Sequence, residues 1–351
     1  MNQYWSRRIQ NIVPYTPGEQ PKERKFIKLN TNECPYPPSH KVIEAIRAAA
    51  GDTLRLYPDP ECTELRTAIA KREGLDMGQV FCGNGSDEIL AFAFQAFFDS
   101  DREVVFPKIT YSFYPVYTDF FGLKRREVPM NPDFSDPIDL LCGKNGGVVL
   151  ANPNAPTGIA VELGAVEKLL NANPDVVVIV DEAYIDFGAD SAVKLIDHYP
   201  NLLVVQTASK SRALAGLRVG WAMGNENLIS AMRRVRDSIN SYTVDRLAQA
   251  GAAAAIEDEE YFQSIRRRIM DTRIWAEKTL KGKGFTVLSS QTNFVFVSHP
   301  KHTGRELLDG LRNKGILVRW WDKPEIRDWL RISIGTDEEM EALVKALDEL
   351  I

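Results

Sequence analysis

Three groups of polar residues in this sequence each follow a short apolar run, and their residue types could do chemistry together. After the run at 79–82 comes a glycine-containing turn that leads through Ser86 into an apolar, helix-like segment. Free backbone N–H groups at such a helix start suit a phosphate group. Asp181 directly follows a second run, and Lys210 stands shortly after a third. Taken singly, these groups also fit an ordinary turn, an internal salt bridge and a surface loop.

The segments that carry these groups alternate between helix-like and strand-like patterns from residue 41 to about residue 223. The helix-like segments are Lys41–Ala50, Thr63–Arg72, Ser86–Phe98 and Val161–Leu170. The strand-like runs are Gln79–Cys82, Glu103–Phe106, Gly147–Leu150, Val176–Val180, Leu202–Gln206 and Leu217–Trp221. Such alternation predicts an α/β unit with a mainly parallel sheet. The run at 176–180 has Val or Ile at every position, which predicts a strand covered on both faces.

With 351 residues the chain is long enough for two structural units, since single cores stop growing at roughly 250 to 300 residues. A long helical pattern from Thr243 to about Lys281 precedes shorter strand-like and helical segments, and a helix from Asp337 ends the chain. We therefore predict three parts. They are an N-terminal arm at 1–37, a large domain at 38–242 with a mostly parallel sheet covered by helices, and a smaller α+β domain at 243–351.

The composition argues against several classes of function. The formal net charge of -5 provides no electrostatic footprint for nucleic acid. No apolar run approaches the roughly 20 residues of a membrane span, and the N-terminal residues lack the apolar core of a signal peptide. The four cysteines lie far apart without a C-x-x-C pair, so neither a disulfide framework nor a zinc site is indicated. We expect a cytoplasmic protein with no metal, nucleic-acid or membrane partner.

The three polar groups are expected to meet in one site, because open α/β sheets bind ligands beyond the carboxyl ends of their strands. Together they supply what pyridoxal 5'-phosphate requires of a protein. It needs an amine that holds it covalently, a carboxylate that keeps its pyridine nitrogen protonated, and donors for its phosphate. Lys210, Asp181 and Arg218 match these requirements, and Gly85 and Ser86 add backbone donors. The residues therefore predict a pyridoxal-phosphate site.

On these residues and on further motifs, the sequence resembles the fold-type-I pyridoxal-phosphate aminotransferases of class II, and among them the histidinol-phosphate aminotransferases. The motifs occur in order along nearly the whole chain: Pro14-Tyr15, Leu29 to Glu33, Tyr57 to Asp59, Gly83 to Glu88, Asn152 to Gly158, Asp181 to Tyr184, Ser209-Lys210, Gly216 to Arg218 and Leu330 to Ser333. The resemblance implies a transaminase with ping-pong kinetics. It also implies small-molecule substrates, namely histidinol phosphate and glutamate or 2-oxoglutarate.

The resemblance implies a role for each matching residue at the cofactor. Lys210 would hold the cofactor and then act as the general base, Asp181 would contact the pyridine nitrogen, and Tyr184 would contact the ring hydroxyl. These three are the expected catalytic residues, and Tyr111 would stack on the ring. The other expected cofactor-binding residues are Gly85, Ser86, Asp87, Asn154, Ser209, Arg218 and, from a second subunit, Tyr57. A homodimer follows from the last of these.

Three further residues are expected to bind the substrate. Arg331 matches the carboxylate-binding arginine of the family, Arg319 matches another that faces the same anion, and Tyr15 matches the arm tyrosine that contacts the phosphoryl group. The sequence departs from the family pattern at Ala155, where Asn is usual. Asn154, one residue earlier, is the candidate to supply the hydrogen bond that this Asn makes.

Other interpretations stay open on the sequence alone. Aromatic-amino-acid aminotransferases and threonine-phosphate decarboxylases would share almost every cofactor motif, and an assay with each amino donor would separate them. A regulator that uses an aminotransferase-like domain as a ligand sensor would need an additional DNA-binding domain. We expect none here, because the predicted arm and two domains account for these 351 residues.

Overall fold

The structure is a computed structural model that describes residues 3–21, 23 and 25–351. This part of the chain forms twelve strands and eleven α-helices. The strands are β1 Ile27–Lys28, β2 Val80–Gly83, β3 Glu103–Pro107, β4 Lys124–Val128, β5 Gly147–Ala151, β6 Val178–Asp181, β7 Leu202–Thr207, β8 Gly220–Gly224, β9 Thr286–Val287, β10 Phe294–Ser298, β11 Ile316–Leu317 and β12 Trp329–Ser333. The helices are α1 His40–Ala49, α2 Thr63–Glu73, α3 Gly85–Phe97, α4 Phe113–Phe121, α5 Ile138–Leu141, α6 Leu163–Ala172, α7 Glu226–Ile239, α8 Arg246–Glu257, α9 Glu259–Gly282, α10 Gly304–Asn313 and α11 Asp337–Asp348.

Seven strands form the central sheet, in the order β2-β8-β7-β6-β5-β3-β4. Neighbours run parallel except at β8, which is antiparallel to both β2 and β7. On β6, Val178 and Val180 belong to one apolar core, whereas Ile179 between them belongs to another. Successive side chains of a strand point to opposite faces, so the sheet is covered on both sides. The predicted α/β fold with a mostly parallel sheet is confirmed.

The helices are divided between the two faces of this sheet. Helices α1, α2, α6 and α8 contribute side chains to one core, and α3, α4 and α7 contribute to the other. Helix α1 begins where the Ser39 side chain accepts a hydrogen bond from the Val42 backbone, which satisfies one of the free N–H groups of its first turn. Within the described part of the chain, every helix is too short or too polar to cross a lipid bilayer.

A second, smaller unit follows the central sheet. Strands β12, β10 and β9 form an antiparallel sheet whose apolar side chains share a core with α9, α10 and α11. Capping boxes start the last two helices, with Thr303 paired to Glu306 and Thr336 paired to Glu339. Strand β1, from the N-terminal arm, pairs in parallel with β11. The arm is therefore joined to the smaller unit and can be held near a site between the two units.

The helical pattern that begins at Thr243 is interrupted, and the two helices on either side of the break have different partners. Helix α8 packs on α1 and α2 beside the central sheet, whereas α9 packs with the smaller unit. Between them, the Asp258 carboxylate accepts a hydrogen bond from Lys41 of α1 at 2.8 Å. The division into an arm and two domains remains a prediction. We propose that the domain boundary lies near Asp258 rather than after residue 242.

The strand predicted at 217–221 differs in the structure, and the difference matters for the site. Strand β8 begins three residues later, because Arg218 has a left-handed backbone conformation with φ of 55° and directs its side chain into a cavity. The apolar residues that follow then continue as β8. Arg218, which the sequence pattern assigns to a strand, therefore lies in a turn that directs its cationic side chain into the cavity.

Candidate active site

One cavity lies at the carboxyl ends of the parallel strands, where the sequence placed the site. Ala151, Asp181 and Thr207 are the last residues of β5, β6 and β7, and all three line it. The structure brings eleven of the predicted site residues to this cavity: Tyr15, Ser86, Asp87, Tyr111, Asp181, Tyr184, Ser209, Lys210, Arg218, Arg319 and Arg331. The arm, the central sheet and the smaller unit each contribute to the wall.

Lys210 follows β7, and its partly buried side chain places the amine inside the cavity. The Nζ atom donates a hydrogen bond to the Thr31 carbonyl at 3.2 Å and lies 6.0 Å from the centre of the Tyr184 ring. Burial lowers the pKa of Lys210 to about 8, and the positive charges of Arg331 and Arg218 act in the same direction. A substantial fraction of this amine is neutral just above neutral pH, so it can act as a nucleophile or a base.

Asp181 ends β6 and is only 5% exposed. Its Oδ2 accepts a hydrogen bond from the Tyr114 hydroxyl at 2.7 Å, and its Oδ1 accepts one from the Ala183 backbone at 3.2 Å. Burial raises the pKa of Asp181 to about 6, and the two hydrogen bonds oppose this rise. No described cationic side chain pairs with the carboxylate. A buried carboxylate of this kind is completed by a cationic group.

Tyr184 is positioned by residues from the arm and from the smaller unit. Its hydroxyl accepts a hydrogen bond from Asn32 Nδ2 at 2.9 Å, and its ring meets the Phe294 ring edge-on with centres 5.1 Å apart. Asn32 is itself held by Ser333, which donates to its Oδ1 at 2.9 Å and accepts from its backbone N–H at 2.8 Å. Burial raises the pKa of Tyr184. The phenol therefore stays protonated and can donate a hydrogen bond.

The start of α3 and Arg218 meet at one end of the cavity. Gly85 has φ of 79°, and a Cβ atom there would lie 2.6 Å from the Arg218 Nη2 atom, so glycine allows the guanidinium to approach. Arg218 Nη2 donates to Asp87 Oδ2 at 3.0 Å, and the Tyr111 hydroxyl donates to Asp87 Oδ1 at 2.7 Å. Ser209 also lines the cavity. Free N–H groups at a helix start together with a guanidinium suit a phosphate.

At the opposite end, two arginines lie side by side in the smaller unit. Arg319 and Arg331 exchange backbone hydrogen bonds of 3.0 and 2.9 Å. Arg331 Nη2 donates to the Asn30 carbonyl at 3.0 Å, and Arg319 Nη2 donates to the Thr16 carbonyl of the arm at 2.9 Å. Neither guanidinium forms an ion pair with a described carboxylate, and the buried Arg331 Nε has no partner. Both retain donors for an anion in the cavity.

Tyr15 reaches the cavity from the arm. Its ring stacks on Phe113 with centres 4.4 Å apart and lies 6.4 Å from the Tyr111 ring. It therefore faces the same space as the two arginines. Gly18, a little further along the arm, also lines the cavity.

Three predicted residues do not line the cavity. Gly85 lies directly beneath Arg218, as described above. Tyr57 is 77% exposed and stacks on Tyr242 with centres 4.5 Å apart, away from the cavity of its own chain. Asn154 points into the protein, where its Nδ2 donates to the Ile109 carbonyl at 2.9 Å. Ala155 faces the cavity instead, so the backbone is not shifted in the way that would bring Asn154 to a ligand.

The sequence interpretation did not assign Tyr114 or Asn32 to the site, although each is hydrogen-bonded to one of the predicted catalytic side chains. Asn32 lies within the motif from Leu29 to Glu33, so the motif was the available signal. Tyr114 comes three residues after Tyr111 and would be found only by asking which residue of α4 faces the end of β6. Both act through Asp181 or Tyr184 rather than from the cavity wall.

Comparisons with known proteins agree with this geometry. The family model for aminotransferase class I and II matches residues 24–347. The histidinol-phosphate aminotransferase of Clostridium beijerinckii is 52% identical over 347 residues, which cover 99% of this chain and 97% of that protein. The protein of the same name from Clostridium acetobutylicum is 51% identical over 351 residues, which cover 100% of each chain.

Solved structures show the same architecture. The histidinol-phosphate aminotransferase of Sinorhizobium meliloti in complex with pyridoxal-5'-phosphate is 27% identical, with a TM-score of 0.90 over 99% of this chain and 97% of that one. The aspartate aminotransferase of Thermus thermophilus with maleate, 21% identical, shares the fold with a TM-score of 0.85 over 99% of each chain. With its family model, its sequence relatives and its fold in agreement, this chain belongs to the class I and II aminotransferases, in the group of the histidinol-phosphate aminotransferases.

Proposed function

We propose that this chain is a pyridoxal-phosphate-dependent aminotransferase that converts histidinol phosphate and 2-oxoglutarate to imidazole-acetol phosphate and glutamate, a step of histidine biosynthesis. The observation that carries the proposal is one cavity that combines a desolvated lysine with two guanidinium groups lacking described carboxylate partners. The choice of histidinol phosphate is supported by the names of relatives that are about half identical over nearly the whole chain.

The residues of the cavity fit the cofactor. The buried Asp181 carboxylate lacks a cationic partner among the described side chains and would pair with a protonated pyridine nitrogen. The space beside Gly85, the start of α3 and Arg218 would hold the phosphate. Tyr184 would donate to the ring hydroxyl, and Tyr111 would lie against the ring. When bound, pyridoxal phosphate supplies an electron sink that makes the substrate Cα–H acidic.

Lys210 is the proposed general base. Its amine would hold the cofactor and, when not bound to it, would lie beside the substrate Cα–H. A pKa near 8 lets this amine accept the Cα proton and give it up again. Arg331 and Arg218 help to keep that pKa below the usual value for lysine, so the proposed anion-binding residues also support proton transfer.

The two arginines and Tyr15 are the proposed substrate contacts. Planar guanidinium groups bind carboxylate or phosphate with two parallel hydrogen bonds. The phosphate of histidinol phosphate and a carboxylate of glutamate would occupy roughly the same place in front of Arg319 and Arg331. Because the two substrates share one site, they must bind in turn, which gives ping-pong kinetics.

A homodimer in the cytoplasm completes the proposal. Tyr57 and Tyr242 are both exposed and stack on one another. From this surface Tyr57 would reach the cofactor of a second copy of the chain. The predicted cytoplasmic location remains part of the same proposal and can be tested by fractionation of cells that produce the chain.

The reaction can be tested by half-reaction spectra. The purified protein with bound cofactor is mixed in turn with histidinol phosphate, glutamate, phenylalanine and threonine phosphate, and the visible absorption band of the cofactor is followed. We expect histidinol phosphate and glutamate to remove the band, with Lys210→Ala as the control that shows no conversion. Conversion by phenylalanine but not by histidinol phosphate would contradict the proposed substrate, and release of CO₂ from threonine phosphate would indicate a decarboxylase.

A further inference from the structure

Trp321 lies against Arg319 and Arg331, at the end of the cavity where the substrate is proposed to bind. We call this the substrate end, and the proposed reaction gives Trp321 no role there. The centre of its ring is 5.4 Å from the Arg319 Cζ atom and 5.2 Å from the Arg331 Cζ atom. Both distances are within the roughly 6 Å over which a guanidinium is attracted to an aromatic face. A single indole ring therefore contacts both arginines that the smaller unit contributes to the cavity.

The two arginines need such a contact because they repel one another. Their backbones are hydrogen-bonded as neighbours. Burial lowers the pKa of Arg331, and the charge of Arg319 lowers it further. No ion pair with a described carboxylate offsets the repulsion, and each guanidinium has one hydrogen bond to a carbonyl, of Thr16 or Asn30, that acts against turning apart. The negative face of the Trp321 ring attracts both of them and opposes that movement.

The ring itself is held in place from the opposite side. Trp321 packs against an apolar cluster formed by Ile109, Phe296 and Ile326. Ile109 lies in the segment that follows β3, two residues before Tyr111. An ion pair between Lys108 and Glu325 joins this segment to the one that contains Ile326. The ring is therefore backed by residues of both structural units, and this packing restrains it if the arginines move.

We propose that Trp321 is a positioning residue for anion binding, a platform that keeps Arg319 and Arg331 directed into the cavity before substrate arrives. A dianionic substrate then meets donors already in place and avoids the cost of ordering them. This inference rests on the proposed function only in taking the cavity between the arginines as the place where substrate anions bind.

The inference can be tested by measuring how the protein with bound cofactor binds glutarate, a five-carbon dicarboxylate without an amino group. Calorimetric titration gives its dissociation constant directly. Trp321→Leu keeps an apolar side chain on the cluster but removes the aromatic face, and we expect it to weaken glutarate binding about tenfold, or about 1.4 kcal/mol. Trp321→Phe retains an aromatic face, and we expect binding within about threefold of the original protein.

Trp320 provides a matched control. It is the neighbouring tryptophan and also lies near an arginine, with its ring centre 5.6 Å from the Arg305 Cζ atom, but that arginine is outside the cavity. Trp320→Leu should leave glutarate binding unchanged. In the glutamate half-reaction, Trp321→Leu should raise KM about tenfold while kcat changes less than twofold. A general loss of structure would lower kcat and the melting temperature together, and if the Leu variant does so, Trp321→Met replaces it in the same comparison.

Equal glutarate binding by Trp321→Leu and the original protein would overturn the inference, as would failure of Trp321→Phe to bind better than Trp321→Leu. Arg331→Ala separates this result from a failure of the proposed function. If Arg331→Ala abolishes glutarate binding while Trp321→Leu does not affect it, the anion site stands and the platform is wrong. If Arg331→Ala also has no effect, the proposed substrate site itself is wrong.

Discussion

Replacing Tyr114 with Phe should weaken cofactor binding in a pH-dependent way. The Tyr114 hydroxyl donates to Asp181 Oδ2 at 2.7 Å, and both groups are buried. Burial raises the pKa of Asp181 to about 6, and this hydrogen bond opposes the rise. A hydrogen bond to a charged group contributes about 1.5 to 3 kcal/mol, so its loss should raise the pKa of Asp181 by roughly 1 to 2 units.

The sign of the pH effect follows from the state of Asp181 that binds the cofactor. Asp181 must be ionised to pair with the protonated pyridine nitrogen, and a higher pKa leaves more of the free protein protonated at a given pH. For a rise of about 1.5 units, the dissociation constant should increase about fourfold at pH 7 and about fifteenfold at pH 6. At pH 9 the carboxylate is ionised in both proteins, and the two constants should be nearly equal.

Tyr117 on the same helix is the control for this experiment. Its hydroxyl is also largely buried but donates to the backbone carbonyl of Asp87 at 2.9 Å, not to Asp181. The assay is absorbance titration of the cofactor-free protein with pyridoxal phosphate at pH 6, 7 and 9. The reasoning is refuted if Tyr114→Phe weakens binding equally at all three pH values, or if Tyr117→Phe shows the same pH dependence.

Three further predictions concern the other proposed roles. Lys210→Ala should abolish turnover, but the variant should still bind the cofactor noncovalently. Borohydride reduction of the original protein should attach the cofactor to Lys210, and a label on another lysine would contradict the mechanism. Tyr15→Phe should lower kcat/KM for histidinol phosphate, with a loss of transition-state stabilisation of roughly 1.5 to 3 kcal/mol, and should affect glutamate less. Arg331→Ala should impair the reaction of both substrates, and Arg331→Lys should not restore it. Sedimentation should show a dimer at assay concentrations, since Tyr57 is proposed to reach a second cofactor, and a fully active monomer would exclude that role.

The cofactor end of the site could be predicted from the sequence because it depends on local patterns. Asp181 and Lys210 each come after an apolar strand, and the carboxyl ends of parallel strands meet at one edge of a sheet. The turn before α3 reaches the same edge because α3 follows β2. These positions needed no knowledge of long-range packing beyond the sheet itself, and the structure brings them into one cavity.

Two other features of this end could not be predicted in that way. The hydrogen bond from Tyr114 to Asp181 joins a helix on one face of the sheet to the end of a strand 67 residues later in the chain. Asn154 and Ala155 are adjacent in the sequence. The path of the backbone between Asn152 and Gly158 decides which of the two faces the cavity. A motif shows that a segment lines a site, but the direction of each side chain is decided by the packing around it.

The substrate end depends on contacts between segments far apart in the chain. The carbonyl of Thr16 accepts from Arg319, and the ring of Trp321 meets Arg319 and Arg331 from the other side. None of these contacts has a local sequence pattern, and only the resemblance to the family singled out the arginines. Because this end is built by the arm and the smaller unit, whereas Asp181 and Arg218 belong to the central sheet and its loops, changes at Trp321 should alter substrate binding with little effect on affinity for the cofactor. We therefore expect that the two ends of the cavity can be changed separately, and that the proposed specificity for the substrate anion depends on residues other than the proposed contacts of the cofactor.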